Sequence, residues 1–176
     1  PAADIVIQGR TDGRAIALAV RNNQPAPAFK IDPGVRFALR NLSVGYACVE
    51  PGNTNCNGFV RSDGELEIAD CLFEKCRQWQ SSPMILVKGG TADIERSSFV
   101  GDPNANTSDI VGGGVVNVNG GNLRVVGCTF ADFNMLNNTN GTWGVVEAMS
   151  TDGAKSVLSV VNCTFTDSET DGDRRY

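Results

Sequence analysis

Residues 123–130 read LRVVGCTF and residues 158–165 read LSVVNCTF, with apolar and polar letters alternating before a turn residue, a Cys and a Phe. Alternation by two is the mark of a strand, because successive side chains point to opposite faces. The phrase has weaker relatives in IADCLF (68–73), IERSSF (94–99) and LRNLSV (39–44), and VRNNQP (20–25) fits in its first half only. Counted from the hexamers VVGCTF (125–130) and VVNCTF (160–165), each is preceded by an apolar residue two positions earlier, namely Leu18, Phe37, Leu66, Ala92, Leu123 and Leu158. These recur at spacings of 19, 29, 26, 31 and 35 residues. A repeat with periods in this range is the signature of a stacked architecture.

Upstream of most units lies a second short strand followed by a Gly turn. Examples are FKIDPGVRFAL (29–39), FVRSDGELEI (59–68), ILVKGGTADI (85–94) and VVNVNGGNLRV (115–125). The outermost units share TDG, in RTDGRAIALAV (10–20) and STDGAKSVLSV (150–160), which suggests one coil design at both ends. The position before the Cys column holds Asn22, Asn41, Asp70, Arg96, Gly127 and Asn162. Gly, Asn and Asp tolerate left-handed backbone angles, so five of the six fit a tight corner between two strands. Arg96 breaks the rule.

A strand–corner–strand unit with one connection of varying length describes an all-β, single-stranded parallel β-helix (β-solenoid) of about six coils. No turn of such a chain buries its apolar side alone, so turns stack about 4.8 Å apart. Like residues then form internal columns. One is Val44, Phe73, Phe99, Phe130 and Phe165, and another is Leu42, Cys71, Ser97, Cys128 and Cys163. The solenoid is expected over 1–168, as part of a longer protein, with 169–176 a polar tail or linker. An antiparallel sandwich would explain alternation and turns, but not the recurrence of one phrase in one order.

The stretch GGGVVNVNGGNLRVVGCTFADFN (112–134) resembles the polymorphic outer-membrane-protein repeat, in which a GGAI-like strand precedes an aliphatic pair, Cys-x-Phe and often Asn. The general plan is similar to right-handed parallel β-helices of the pectate-lyase type. Both resemblances imply right-handed winding, as does the chirality of parallel crossovers.

Composition narrows the function classes. Net charge is −5 with a pI near 4.7, which argues against a nucleic-acid partner, since phosphate binding needs clustered Lys and Arg. No stretch approaches the roughly 20 apolar residues of a membrane-spanning helix. Six Cys and five Asn-x-Ser/Thr sequons (Asn41, Asn106, Asn137, Asn140 and Asn162) favour an extracellular or cell-surface setting. Asn106, Asn137 and Asn140 fall in polar loops and are the glycosylation candidates. Asn41 and Asn162 sit at corners beside inward positions.

Cys71, Cys128 and Cys163 are expected inward as small apolar residues, with Cys128 and Cys163 free because stacked Cβ vectors run parallel. Cys48 and Cys56 bracket CVEPGNTNC and form the favoured disulfide, while Cys76 is a further candidate partner for Cys71. There is no His, which removes triads and His acid–base chemistry, and no paired CxxC for a metal. No cofactor is expected. In the strand upstream of each Gly turn, Val6, Lys30, Leu86, Asn117 and Glu147 are taken as outward and form no carboxylate cluster. Asp63 and Asp152 read as turn formers.

The long loops, roughly 45–57, 74–83, 100–112 and 131–143, carry the variation and hence specificity. Trp79 and Trp143 lie in or beside them, as contacts for a sugar or protein or as covers over a coil. Neither end carries an amphipathic capping helix. The reading is an extracellular structural or adhesive β-helix segment, not an enzyme, whose partners are protein (self-assembly or neighbouring domains of a longer chain) or surface glycan. The alternative is a β-helix that binds or cleaves polysaccharide, as the pectate-lyase likeness would imply.

Overall fold

Short alternating runs closed by Gly, Asn or Asp cannot extend far before turning, and the chain accordingly forms seventeen strands of three to five residues among the described residues. The computed structural model describes residues 4–10, 17–19, 27–45, 58–76, 83–101, 114–133, 144–150 and 153–166, with backbone only for 17–19, 75 and 76. In chain order the strands are β1 (Asp4–Gln8), β2 (Ala17–Ala19), β3 (Phe29–Ile31), β4 (Arg36–Arg40), β5 (Ser43–Gly45), β6 (Val60–Ser62), β7 (Glu65–Ala69), β8 (Leu72–Cys76) and β9 (Ile85–Val87). They continue with β10 (Thr91–Glu95), β11 (Ser98–Gly101), β12 (Val116–Asn119), β13 (Asn122–Val126), β14 (Thr129–Ala131), β15 (Val146–Met149), β16 (Val157–Val161) and β17 (Thr164–Thr166).

Every third strand joins the same sheet. Sheet A runs β1-β4-β7-β10-β13-β16, sheet B runs β2-β5-β8-β11-β14-β17, and sheet C runs β3-β6-β9-β12-β15. All pairings are parallel. The protein is an all-β parallel β-solenoid, and each circuit of chain has three sides.

The columns stack as the repeat requires. Val44 pairs with Phe73, and Phe73, Phe99, Phe130 and Phe165 follow one another in sheet B. Their rings stack at centroid separations of 4.7, 5.0 and 5.1 Å with interplanar angles of 2°, 5° and 8°. The spacing matches the distance between neighbouring strands, so backbone register alone brings the rings face to face. At the other end the ladder turns aside, and Phe59 meets Phe73 edge-on at 5.9 Å. The core is completed from sheets A and C by Leu39, Ile68, Ile94 and Val125 and by Val60, Ile85 and Val116, all fully buried.

The sheet A-to-B corners show why the repeat varies its fifth letter. Asn41, Asp70, Arg96, Gly127 and Asn162 have φ of 52°, 55°, 45°, 61° and 52°. Arg96 therefore follows the others, and the exception read from its side chain is corrected. The corner constrains φ, and Arg96 adopts it with its guanidinium on Asp70 of the preceding level.

The first level is also corrected. Leu18 belongs to sheet B, where it pairs with Val44, and the sheet A column begins at Ile5, paired with Phe37. The first spacing is thus Ile5 to Phe37, and the TDG shared by 10–20 and 150–160 does not mark equivalent strands. Gly9, not Asn22, occupies the first corner, where its N–H donates to the Arg40 carbonyl. A Cβ there would lie 1.7 Å from the Asn41 carbonyl oxygen, so only glycine fits.

Candidate functional site

Two surfaces emerge from this winding, a corner that bears loops and a charged face. The A-to-B corners from β4 onward are uniform, with two residues between Arg40 and Ser43, Ala69 and Leu72, Glu95 and Ser98, Val126 and Thr129, and Val161 and Thr164. The B-to-C connections are long and unequal. They leave after Ala19, Gly45, Cys76, Gly101 and Ala131 and return at Phe29, Val60, Ile85, Val116 and Val146. Because the flanking strands stay in parallel register, five successive connections start from one edge of the solenoid about one strand spacing apart. Cys48, Cys56, Trp79, Asn106, Asn137, Asn140 and Trp143 fall in these connections and lie outside the described residues, as do Asp152 and the tail 169–176.

The outward positions of sheet A carry charge in layers. Arg36 and Arg40 lie on β4, Glu65 and Glu67 on β7, Asp93 and Glu95 on β10, and Arg124 on β13. Arg40 binds Glu67 through two hydrogen bonds of 2.7 Å, and Arg36 reaches the same carboxylate at 3.2 Å. Arg124 donates to Asp93 at 3.2 Å and to Glu95, and Arg96 donates to Glu95 at 2.8 Å. The Arg40 hydrogen bonds hold the Glu67 carboxyl below the usual carboxylate range, and Arg124, with Arg96, does the same to Glu95. Asp70 is lowered in the same way by Arg96. A depression of about 320 Å³ lies over this face, lined by Arg36, Glu65, Glu67, Asp93, Glu95 and Arg96 among others.

Sequence reasoning missed this cluster because it searched the strand upstream of each Gly turn. The alternate letters of the repeated phrase itself (Glu65-x-Glu67 and Asp93-x-Glu95) held the signal. The searched column needs correction as well. Val6 lies in sheet A against Ala38, and the sheet C column is Lys30, Arg61, Leu86, Asn117 and Glu147. Asn117 is fully buried rather than exposed, and Leu86 and Glu147 are half-buried. Burial pushes the Glu147 carboxyl up, opposed by a hydrogen bond from the Gly144 backbone. Asp63 stands at the turn after β6, as its residue type suggests.

The cysteine column is resolved where it is described. Cys71, Cys128 and Cys163 are free thiols, so Cys71 is not the disulfide partner suggested for Cys76. Cys71 points inward and donates to the carbonyls of Leu39 and Ala69 at 3.5 and 3.3 Å. Burial raises the Cys71 and Cys128 thiols, which keeps them protonated and poorly nucleophilic. Cys163 is half-buried because it lies on the last described level. Among the described residues no three His, Cys, Asp or Glu side chains converge as metal ligands.

No family model, curated protein or solved structure matches the chain, so the likeness of 112–134 to the polymorphic outer-membrane-protein repeat, and of the whole plan to pectate-lyase-type helices, rests on those residues and the winding alone.

Proposed function

We propose that the chain is an extracellular structural or adhesive β-helix segment, a rigid scaffold that presents variable loops to protein or glycan partners and stacks into a larger surface assembly. The observation that carries this reading is the division of labour between corners. One corner is held at two residues in every level from β4 onward, while the next admits long insertions without disturbing register. Such a frame fixes where loops start and leaves their sequence free, the arrangement by which rigid scaffolds carry recognition.

The test exchanges residues 102–113 and 134–143 for short Gly-Ser linkers, separately and together. The variants are expected to keep the β-sheet circular dichroism of the parent and to lose binding on a glycan array or to surface proteins displayed with it. Retained binding by the double exchange rejects these two loops as the recognition surface.

A second reading, binding or cleavage of polysaccharide, draws on the depression over sheet A and its carboxylates. Its carboxylates that shift are all lowered by arginine, whereas a general acid needs a raised pKa. The ion pairs are better suited to holding levels in register than to proton transfer. Release of new reducing ends from an acidic polysaccharide, abolished by Glu65→Gln with Asp93→Asn, would favour the second reading.

A further inference from the structure

Inside the solenoid the apolar columns are sealed, but on the first and last described levels they are open. In the last described level Phe165 is 51% exposed and Val160 41%, although their counterparts one level below, Phe130 and Val125, are both fully buried. In the first level Ile5 is 49% exposed, while Phe37 beneath it is 4% exposed. Outward positions change at the same places. The middle levels carry Arg, Glu and Asp, whereas β1 presents Val6 and β16 presents Val157 and Val161.

We propose that these two ends are complementary and that a second copy of the chain stacks head to tail, β1 of one copy adding to sheet A beside β16 of the other and β2 beside β17. The proposal rests on the scaffold reading above and names its partner. The junction repeats an interface already present at every level of the molecule. Following the register of the other sheet A pairs, Ile5 lies over Leu158, Ile7 over Val160 and Gly9 over Asn162. At each corner an N–H donates to the last strand carbonyl of the next level, from Gly9 to Arg40, Asn41 to Ala69, Asp70 to Glu95, Arg96 to Val126 and Gly127 to Val161. The next donor in that series is Asn162, and the carbonyl it meets in the junction is Gln8 of the second copy. In the register of the other sheet B pairs, Phe165 lies beside Leu18 of the second copy. The outward row at the junction sets Asp4, Val6 and Gln8 against Val157, Ser159 and Val161, so no like charges meet. Among the described residues sheet C ends at β15, so the junction is defined by sheets A and B. The contact is heterologous, so each added copy leaves a free end and the product is an open chain of copies.

Sedimentation of the parent chain over a concentration series tests the proposal directly. Association that grows with concentration into multiples of the monomer mass is expected, and a monomer at the highest concentration overturns it. Two blocked variants test the geometry. Ile5→Lys places a charge in one end face, and Val160→Lys places one in the other. Each alone is expected to remain monomeric, and their equimolar mixture to give a dimer of twice the mass and nothing larger. A mixture that stays monomeric, or a single variant that polymerises, rejects head-to-tail stacking. Circular dichroism of each variant confirms that the levels are intact. If blocked monomers still bind through their loops, a failure of stacking leaves the scaffold reading in place. Assembly without any loop-dependent binding does the reverse.

Discussion

Arg96 grips Asp70 across one level of the solenoid, Nε to Oδ1 at 2.8 Å and Nη2 to Oδ2 at 2.9 Å, while both residues hold left-handed backbones. The two corners thus stack through their side chains as well as their carbonyls. Both side chains are well exposed, at 58% and 41%, so water and salt weaken the pair. The strained backbone is the larger concern at this position. Arg96→Gly is expected to leave stability near that of the parent, relief of strain offsetting the lost pair. Arg96→Val is expected to be clearly destabilised, because a β-branched side chain suits this φ least. Urea denaturation of the two variants side by side checks the order, and equal losses would show that the side-chain pair, not φ, governs the corner.

Ser62 points into the core between Ile31 and Val87 with its hydroxyl buried and without a hydrogen-bond partner. An orphaned buried hydroxyl costs about 1–3 kcal/mol. Ser62→Ala is expected to gain roughly 0.5–1 kcal/mol and Ser62→Val about 1 kcal/mol or more, if the column accepts the extra methyl group. A raised denaturation midpoint at unchanged slope is the readout.

The phenylalanine ladder should not be uniform in energy. Phe99 is covered on both faces, so Phe99→Ala is expected to cost about 3–5 kcal/mol. Phe165 has one stacked face and is half exposed, so Phe165→Ala is expected to cost less than half as much in the monomer. Under conditions where copies associate, the second figure should rise, because stacking would bury the free face.

Two glutamates pull stability in opposite directions with pH. Glu67 has a folded pKa below its unfolded value, so its contribution is full above the unfolded pKa and is lost as pH falls through the folded one. Glu147 is raised by burial, so the folded form is penalised as pH climbs from its unfolded pKa to its folded one. Glu67→Gln is expected to destabilise at neutral pH, the difference shrinking as pH falls through the lowered folded pKa of the parent carboxyl. Glu147→Gln is expected to stabilise at neutral pH, with the gain vanishing over the same descent. Melting temperatures across that range decide both.

Much of this fold was legible in a few letters. Val125, Val126, Gly127, Cys128 and Phe130 repeat at 160–165 with Asn for Gly, and the exchange already named a left-handed corner between strands. The phenylalanine column followed, since parallel strands in register superpose like letters. The first level was misread because its phrase, IVIQG, is short and lacks the Phe, whereas RAIALAV mimics the repeat without holding its place.

The sequence by itself determined the winding, because a period-two apolar pattern with a φ-constrained corner has few other ways to bury its face. Only the tertiary structure decided which charges meet. Arg40 and Glu67 lie 27 residues apart and touch because their strands are neighbours, and nothing in either local stretch announces the other. The same holds for the open ends. Ile5 and Phe165 belong to the same apolar pattern as the buried core, and they are half-exposed because they lie on the first and last described levels.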